Sequence, residues 1–173
     1  MKQIIPVMLA LLLFSCKDSS VNDQPQISSS IIFEVEYLNY AWGFVYQGVM
    51  IDNEGKEYSY NPAKDSIPFL YYADGLYTER ELQSKYGHAK TFIKSIRSDS
   101  LNWSHNLANQ VITTDYSDTT YVGMDGGCTT YSTYIFRPEI NKYQQIVLKI
   151  EGDIAFYNKS QSAVTLAAWL KRY

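Results

Sequence analysis

The sequence predicts an α+β domain in which an antiparallel sheet of about five strands, built from two hairpins, carries three helices packed on one face. Three observations lead there. Residues near the start of the domain alternate with period 2, a helix-capping signature stands at Thr78 to Glu81, and the last segment repeats its apolar residues at helical spacing.

Ile31 to Tyr40 sets Phe33, Val35 and Tyr37 against Glu34 and Glu36, the pattern of a strand with one buried face. Phe44 to Ile51 predicts a second strand, Asp52-Asn53-Glu54-Gly55 a turn, and Glu57 to Tyr60 the return strand of a hairpin. Asn61-Pro62 ends it, and the stretch to Gly75 reads as a loop with an exposed Phe69-Leu70-Tyr71-Tyr72 cluster.

Thr78 and Glu81 form a capping box, Tyr77 and Leu82 a hydrophobic staple, and Gly87 falls where a left-handed C-terminal cap belongs. These bound a helix over Glu79 to Tyr86. A short strand over Thr91 to Ile96 follows. Ser98 or Asp99 then caps a second helix to about Ile112, with Leu101, Leu107, Ala108, Val111 and Ile112 on one face and Trp103 and His105 flanking it.

Thr114 to Gly127 is polar and glycine-rich and reads as a loop. The Thr- and Tyr-rich run Thr129 to Phe136, a turn over Arg137 to Lys142, and the alternating run Tyr143 to Ile150 form the second hairpin. Ala163, Leu166, Ala167, Leu170 and Tyr173 then define the closing helix, capped by Ser160 or Ser162, with Lys171-Arg172 matching the dipole of its last turn.

Ahead of the domain, Lys2 and the apolar run Ile4 to Phe14 have the layout of an export signal, and the run is shorter than the roughly 20 apolar residues of a membrane span. Leu13-Phe14-Ser15-Cys16 resembles the lipobox of bacterial lipoproteins. That resemblance implies cleavage before Cys16 and acylation of its thiol and new amino group, and several acyl chains give stable anchoring where one does not. Lys17-Asp18 in turn imply sorting to the outer membrane, with periplasmic-facing and surface-facing placements both open. The chain therefore divides into a signal peptide (1–15), a lipidated cysteine with a polar tether (16–30) and one globular domain (31–173). As a flexible coil, the tether would reach on the order of 20 Å.

The run Phe33 to Gly43, the Thr78-Glu79-Arg80-Glu81-Leu82 helix start and the closing Ala167-Ala168-Trp169-Leu170 resemble a group of uncharacterised secreted bacterial lipoprotein domains. The resemblance covers most of Ile31 to Tyr173. It implies location and architecture and transfers no activity and no site residues.

With 15 basic and 18 acidic residues the net charge is −3, and no basic stripe of the kind that tracks nucleic acid is present. Cys16 and Cys128 are the two cysteines, so lipidation of the first leaves no pair for a disulfide. Cys128 follows Asp125-Gly126-Gly127, where glycines let a substrate approach the backbone and His88 or His105 would serve as base. A lone cysteine at a strand start is more often a small buried hydrophobe, which makes Cys128 a weak catalytic candidate.

Glu34 and Glu36 stand about 6.5 to 7 Å apart along a strand, within the carboxylate spacing of glycosidases. Such enzymes place their acids across a scissile bond, so the sequence favours a solvated strand face. Asp115, Asp118 and Asp125 supply oxygen ligands in one loop, but their order does not match a calcium loop, and neither histidine has a metal-ligand partner at short spacing. No cofactor and no metal is expected.

Sixteen tyrosines, among them Tyr37, Tyr40, Tyr46, Tyr58, Tyr60, Tyr71, Tyr72, Tyr131 and Tyr134, provide either half-buried strand residues or an aromatic platform for a glycan or an envelope protein. The expected function is a non-enzymatic binding module using Phe69, Tyr71 and Tyr72. An inhibitor or immunity-like protein that blocks an envelope enzyme is the second reading, and a hydrolase using Cys128 the third.

Overall fold

The computed structural model describes residues 31–41, 43–61, 74–86 and 90–173. In chain order the elements are β1 (Ile31–Asn39), β2 (Val45–Asp52), β3 (Lys56–Tyr60), β4 (Leu76–Tyr77), α1 (Glu79–Tyr86), β5 (Lys90–Ser95), α2 (Ser98–Ala108), β6 (Thr120–Tyr121), β7 (Cys128–Arg137), β8 (Lys142–Gly152), β9 (Ile154–Tyr157) and α3 (Gln161–Leu170). The strands join in the order β5-β3-β2-β1-β7-β8-β9-β6, and β4 also pairs with β8. Every pairing between these strands is antiparallel.

Two expectations are corrected. The sheet has nine strands rather than about five. The extra ones, β4, β6 and β9, span only two to four residues, too short for an alternating pattern to register. Nor do the helices share one face. Leu101 of α2 and Ala163, Leu166, Ala167, Trp169 and Leu170 of α3 pack with Phe33, Ile51, Tyr131 and Leu148. Leu82 of α1 belongs to a separate cluster with Ile31, Tyr46, Met50, Tyr60, Tyr77 and Tyr134.

Each face of the sheet therefore buries a core cluster. On the first, full burial of Leu166 and Leu170 contributes about 1.5–3 kcal/mol each. Trp169 meets the Phe33 ring edge-on at 5.3 Å, which anchors α3 to the central strand.

Two of the local signals act as their chemistry requires, whereas the expected caps of the later helices do not: α2 has Arg97 rather than Ser98 or Asp99 at its N-cap, α3 has Ser160, and neither makes a side-chain capping hydrogen bond. Asp52 Oδ1 accepts from the Glu54 and Lys56 amides at 3.0 and 2.8 Å, and Gly55 takes φ 76° to close the β2–β3 turn. The Glu81 amide donates to Thr78 Oγ1 at 3.2 Å while the Thr78 amide donates to Glu81 Oε2 at 2.6 Å, a complete capping box. Gly87 lies outside the described residues. Helix α2 stops at Ala108 rather than near Ile112: past it the Gln110 and Val111 amides bond to the carbonyls three residues back, of Leu107 and Ala108, and the Ile112 carbonyl accepts from Asn158 Nδ2 at 2.7 Å.

Candidate functional site

Strand β1 lies at the centre of the sheet, and its two edges decide what its side chains meet. Glu34 and Glu36 are 1% and 3% exposed, which corrects their reading as a solvated face. Tyr60 donates to Glu34 Oε1 at 2.6 Å, Tyr134 donates to Glu34 Oε2 at 2.5 Å, and Tyr46 donates to Glu36 Oε2 at 2.9 Å. The tyrosines come from β3, β7 and β2, so one carboxylate is gripped from both sides of its strand.

Tyr60 reaches Glu34 by crossing the intervening strand β2 above Gly48. A Cβ at Gly48 would stand 2.5 Å from the Tyr60 hydroxyl and 2.3 Å from the Val35 carbonyl oxygen, so only glycine leaves room for the ring. Burial, with the Glu34 charge beside it, holds the Tyr60 phenol well above its ordinary range. Charge-assisted donors on both Glu34 oxygens make the network a strut that ties β3, β1 and β7 together. Such an arrangement presents no carboxylate to a substrate.

The opposite face of the same strands has another character. Beyond the part covered by α2 and α3, the side chains of Val35 and Tyr37 on β1, Gln47 and Val49 on β2, Ser59 on β3, Thr91 on β5 and Thr129 on β7 line an open trough of about 700 Å³, bounded by Tyr173. Register explains the assembly: Val35 pairs with Val49, Tyr37 with both Gln47 and Thr129, Val49 with Ser59, and Ser59 with Thr91. No lining residue is charged. Hydroxyls, the carboxamides of Gln47 and Asn61, two valines and tyrosines provide hydrogen-bonding groups and apolar surface without an ion pair, and the volume lies within the range of about 300–1,000 Å³ typical of ligand sites.

The sequence-derived candidates fall elsewhere. Cys16 and His88, with Phe69, Tyr71 and Tyr72, lie outside the described residues. Cys128 is half-buried and pairs with Leu38 on the Glu34 face of β1, whereas His105 on α2 meets Phe33 on the other face in a tilted contact, ring centroids 5.9 Å apart. Leu38 and Phe33 are five residues apart on β1, roughly 16 Å along a strand, so the Cys128 thiol and the His105 imidazole do not form a dyad. Burial lowers the His105 pKa.

Among the described residues, no group of three or more His, Cys, Asp or Glu side chains gathers to hold a metal, and Asp115, Asp118 and Asp125 do not converge. Of the tyrosines singled out from sequence, Tyr46, Tyr60, Tyr131 and Tyr134 are buried, while Tyr37 and Tyr58 are half-buried and Tyr40 is exposed. Apart from Tyr37, the trough residues escaped sequence reasoning because five strands contribute one or two each, and only the register brings them together.

No family model, no curated protein and no solved structure matches the chain.

Proposed function

We propose that this chain is a lipid-anchored outer-membrane protein, acylated at Cys16, whose domain is a non-enzymatic binding module for an uncharged glycan held across the open sheet face. The observation that carries the reading is the trough itself, open and free of charged lining residues, with Tyr37 and Tyr173 beside Gln47, Ser59, Thr91 and Thr129, although the Lys94 ammonium stands over the Tyr173 ring at 5.0 Å. Neutral polyhydroxylated ligands are recognised by that combination of dispersed hydrogen-bonding groups and aromatic surface. The anchor is supported by the order of Lys2, the apolar run and Leu13-Phe14-Ser15-Cys16. Separation of Cys128 from His105 by the thickness of the sheet disfavours the thiol hydrolase.

Binding is tested with an array holding both neutral and acidic oligosaccharides, followed by calorimetry on those retained. Neutral ligands should bind, and Tyr173→Ala and Gln47→Ala should each weaken them about tenfold. Retention of acidic sugars alone, or affinities untouched by both substitutions, would remove the trough as the site. The anchor is tested separately by labelled palmitate, whose incorporation Cys16→Ser should abolish.

A further inference from the structure

Where α3 passes over β8 and β9 it leaves a cleft of about 310 Å³, large enough for a small ligand. None of its lining residues borders the trough. Two features of the chain open it.

The first is a β-bulge. Along β8 the register passes from Lys149, opposite Tyr131, to Val147, opposite Ser132, so Leu148 is an extra residue. Consecutive strand residues ordinarily point to opposite faces, yet Leu148 and Lys149 both line this cleft. The second is a stripe on the helix. Val164, Ala167, Ala168 and the C-cap residue Lys171 stand at i, i+3, i+4 and i+7, and the two alanines at the middle leave the space that larger side chains would fill.

The cleft is apolar at its floor and positive at its mouth. Leu148, Tyr131 and Ala167 are buried, while Lys149 is half-buried and Lys171 exposed. Both ammonium groups pair with Glu151: Lys149 donates to Oε2 at 2.5 Å, and Lys171 stands 3.0 Å from Oε1. Tyr131 also donates to Oε1, at 2.8 Å. With its carboxyl pulled down to about 2, Glu151 is ionised at neutral pH. Among the described residues neither lysine pairs with a second carboxylate. Two ammonium ions against one carboxylate leave a single excess positive charge, and each ammonium has three N–H donors to place.

That balance selects the ligand. The excess charge calls for an anion, and a single negative charge matches it. The apolar floor disfavours a fully hydrated ion such as sulfate, whose burial there would go uncompensated. We propose that the cleft binds a small monocarboxylate with a compact apolar body, the body resting on Leu148 and the two alanines of α3 and the carboxylate on Lys149 and Lys171. Glu151 competes with that ligand for the same donors.

The test is methyl NMR on the full chain in nonionic detergent, carrying labelled alanine and titrated with 4-phenylbutyrate, decanoate, 4-phenylbutyramide and 4-phenylbutylamine. At least one of the two carboxylates should shift the Ala167 and Ala168 methyl signals saturably and leave that of Ala108 on α2 in place; the relative affinity of the aryl and alkyl acids gives the shape of the body. The amide and the amine should bind at least about tenfold more weakly. Lys171→Gln, at an exposed position, should weaken the carboxylate about tenfold, whereas Glu151→Gln should tighten it several-fold by removing the competitor. Ala168→Leu, on the exposed side of α3, should fill the cleft and abolish the Ala167 shift without lowering Tm. Absence of any shift at millimolar ligand, equal affinity for the amide, a shift that survives Ala168→Leu, or weaker binding in Glu151→Gln would overturn the inference. Gln47→Ala in the trough should leave the titration unchanged, so this site and the glycan site fail separately.

Discussion

Replacing Tyr60 by phenylalanine removes one oxygen from the buried strut and leaves the ring in place. The lost contact is a 2.6 Å hydrogen bond to a carboxylate that is 1% exposed, so water cannot substitute for the missing donor without opening the sheet. Hydrogen bonds to charged groups contribute about 1.5–3 kcal/mol, which becomes the expected loss of stability. For a domain of this size, that corresponds to a fall in Tm of about 3–12 °C. The assay is urea unfolding followed by circular dichroism on wild type, Tyr60→Phe, Glu34→Gln and the double variant. Because both single changes act on one interaction, the double should lose less than the sum, with a coupling of about 1 kcal/mol or more. A Tyr60→Phe loss below about 0.5 kcal/mol, or strict additivity in the double, would refute the view that the carboxylate is held by this phenol.

Gly48→Ala places a methyl group 2.3 Å from the Val35 carbonyl and 2.5 Å from the Tyr60 hydroxyl, so it should destabilise by about 1–3 kcal/mol in the same urea series, and a neutral result would mean that the ring does not cross there. Glu151, hydrogen-bonded first to Lys149 and also to Tyr131 and Lys171, has its carboxyl pulled down to about 2. Since its folded pKa lies below the unfolded one, its stabilising effect is present above the ordinary glutamate range and is lost as pH falls from there through about 2. Glu151→Gln should therefore flatten the acid limb of the stability profile, and an unchanged limb would assign that limb to other groups. Thr78→Ala removes the acceptor of the Glu81 amide and should destabilise by about 1 kcal/mol, with faster amide exchange in the first turn of α1; unaltered exchange would deny the cap any role.

What the sequence made legible was local chemistry. The β2–β3 turn, the capping box and the closing helix each depend on residues within one or two turns of chain, and each stands where those residues place it. The role of Glu34 was not legible, because its partners Tyr60 and Tyr134 are 26 and 100 positions away and a carboxylate alternating with apolar residues has the signature of a wet face. Misjudging that face also misplaced the helices, since a sheet believed to be solvated on one side needs cover only on the other. The trough was hidden for a related reason: serine, threonine and glutamine on a strand look like ordinary solvent-facing residues until the register sets them side by side.

The central position of β1 also shapes how the chain acquires its structure. Its neighbours are β2, which follows at once, and β7, which follows about ninety residues later. As the polypeptide emerges from its amino end, β1, β2 and β3 can associate early, while the outer side of β1 waits for most of the remaining chain. During that interval the half-built sheet has a long bare flank, the kind of edge along which identical chains pair and aggregate. Glu34 and Glu36 sit in that flank without the late-arriving Tyr134, and charges there discourage the wrong neighbour from adding on. The same two residues thus guard the nascent sheet against its own copies before the final hairpin arrives to enclose them.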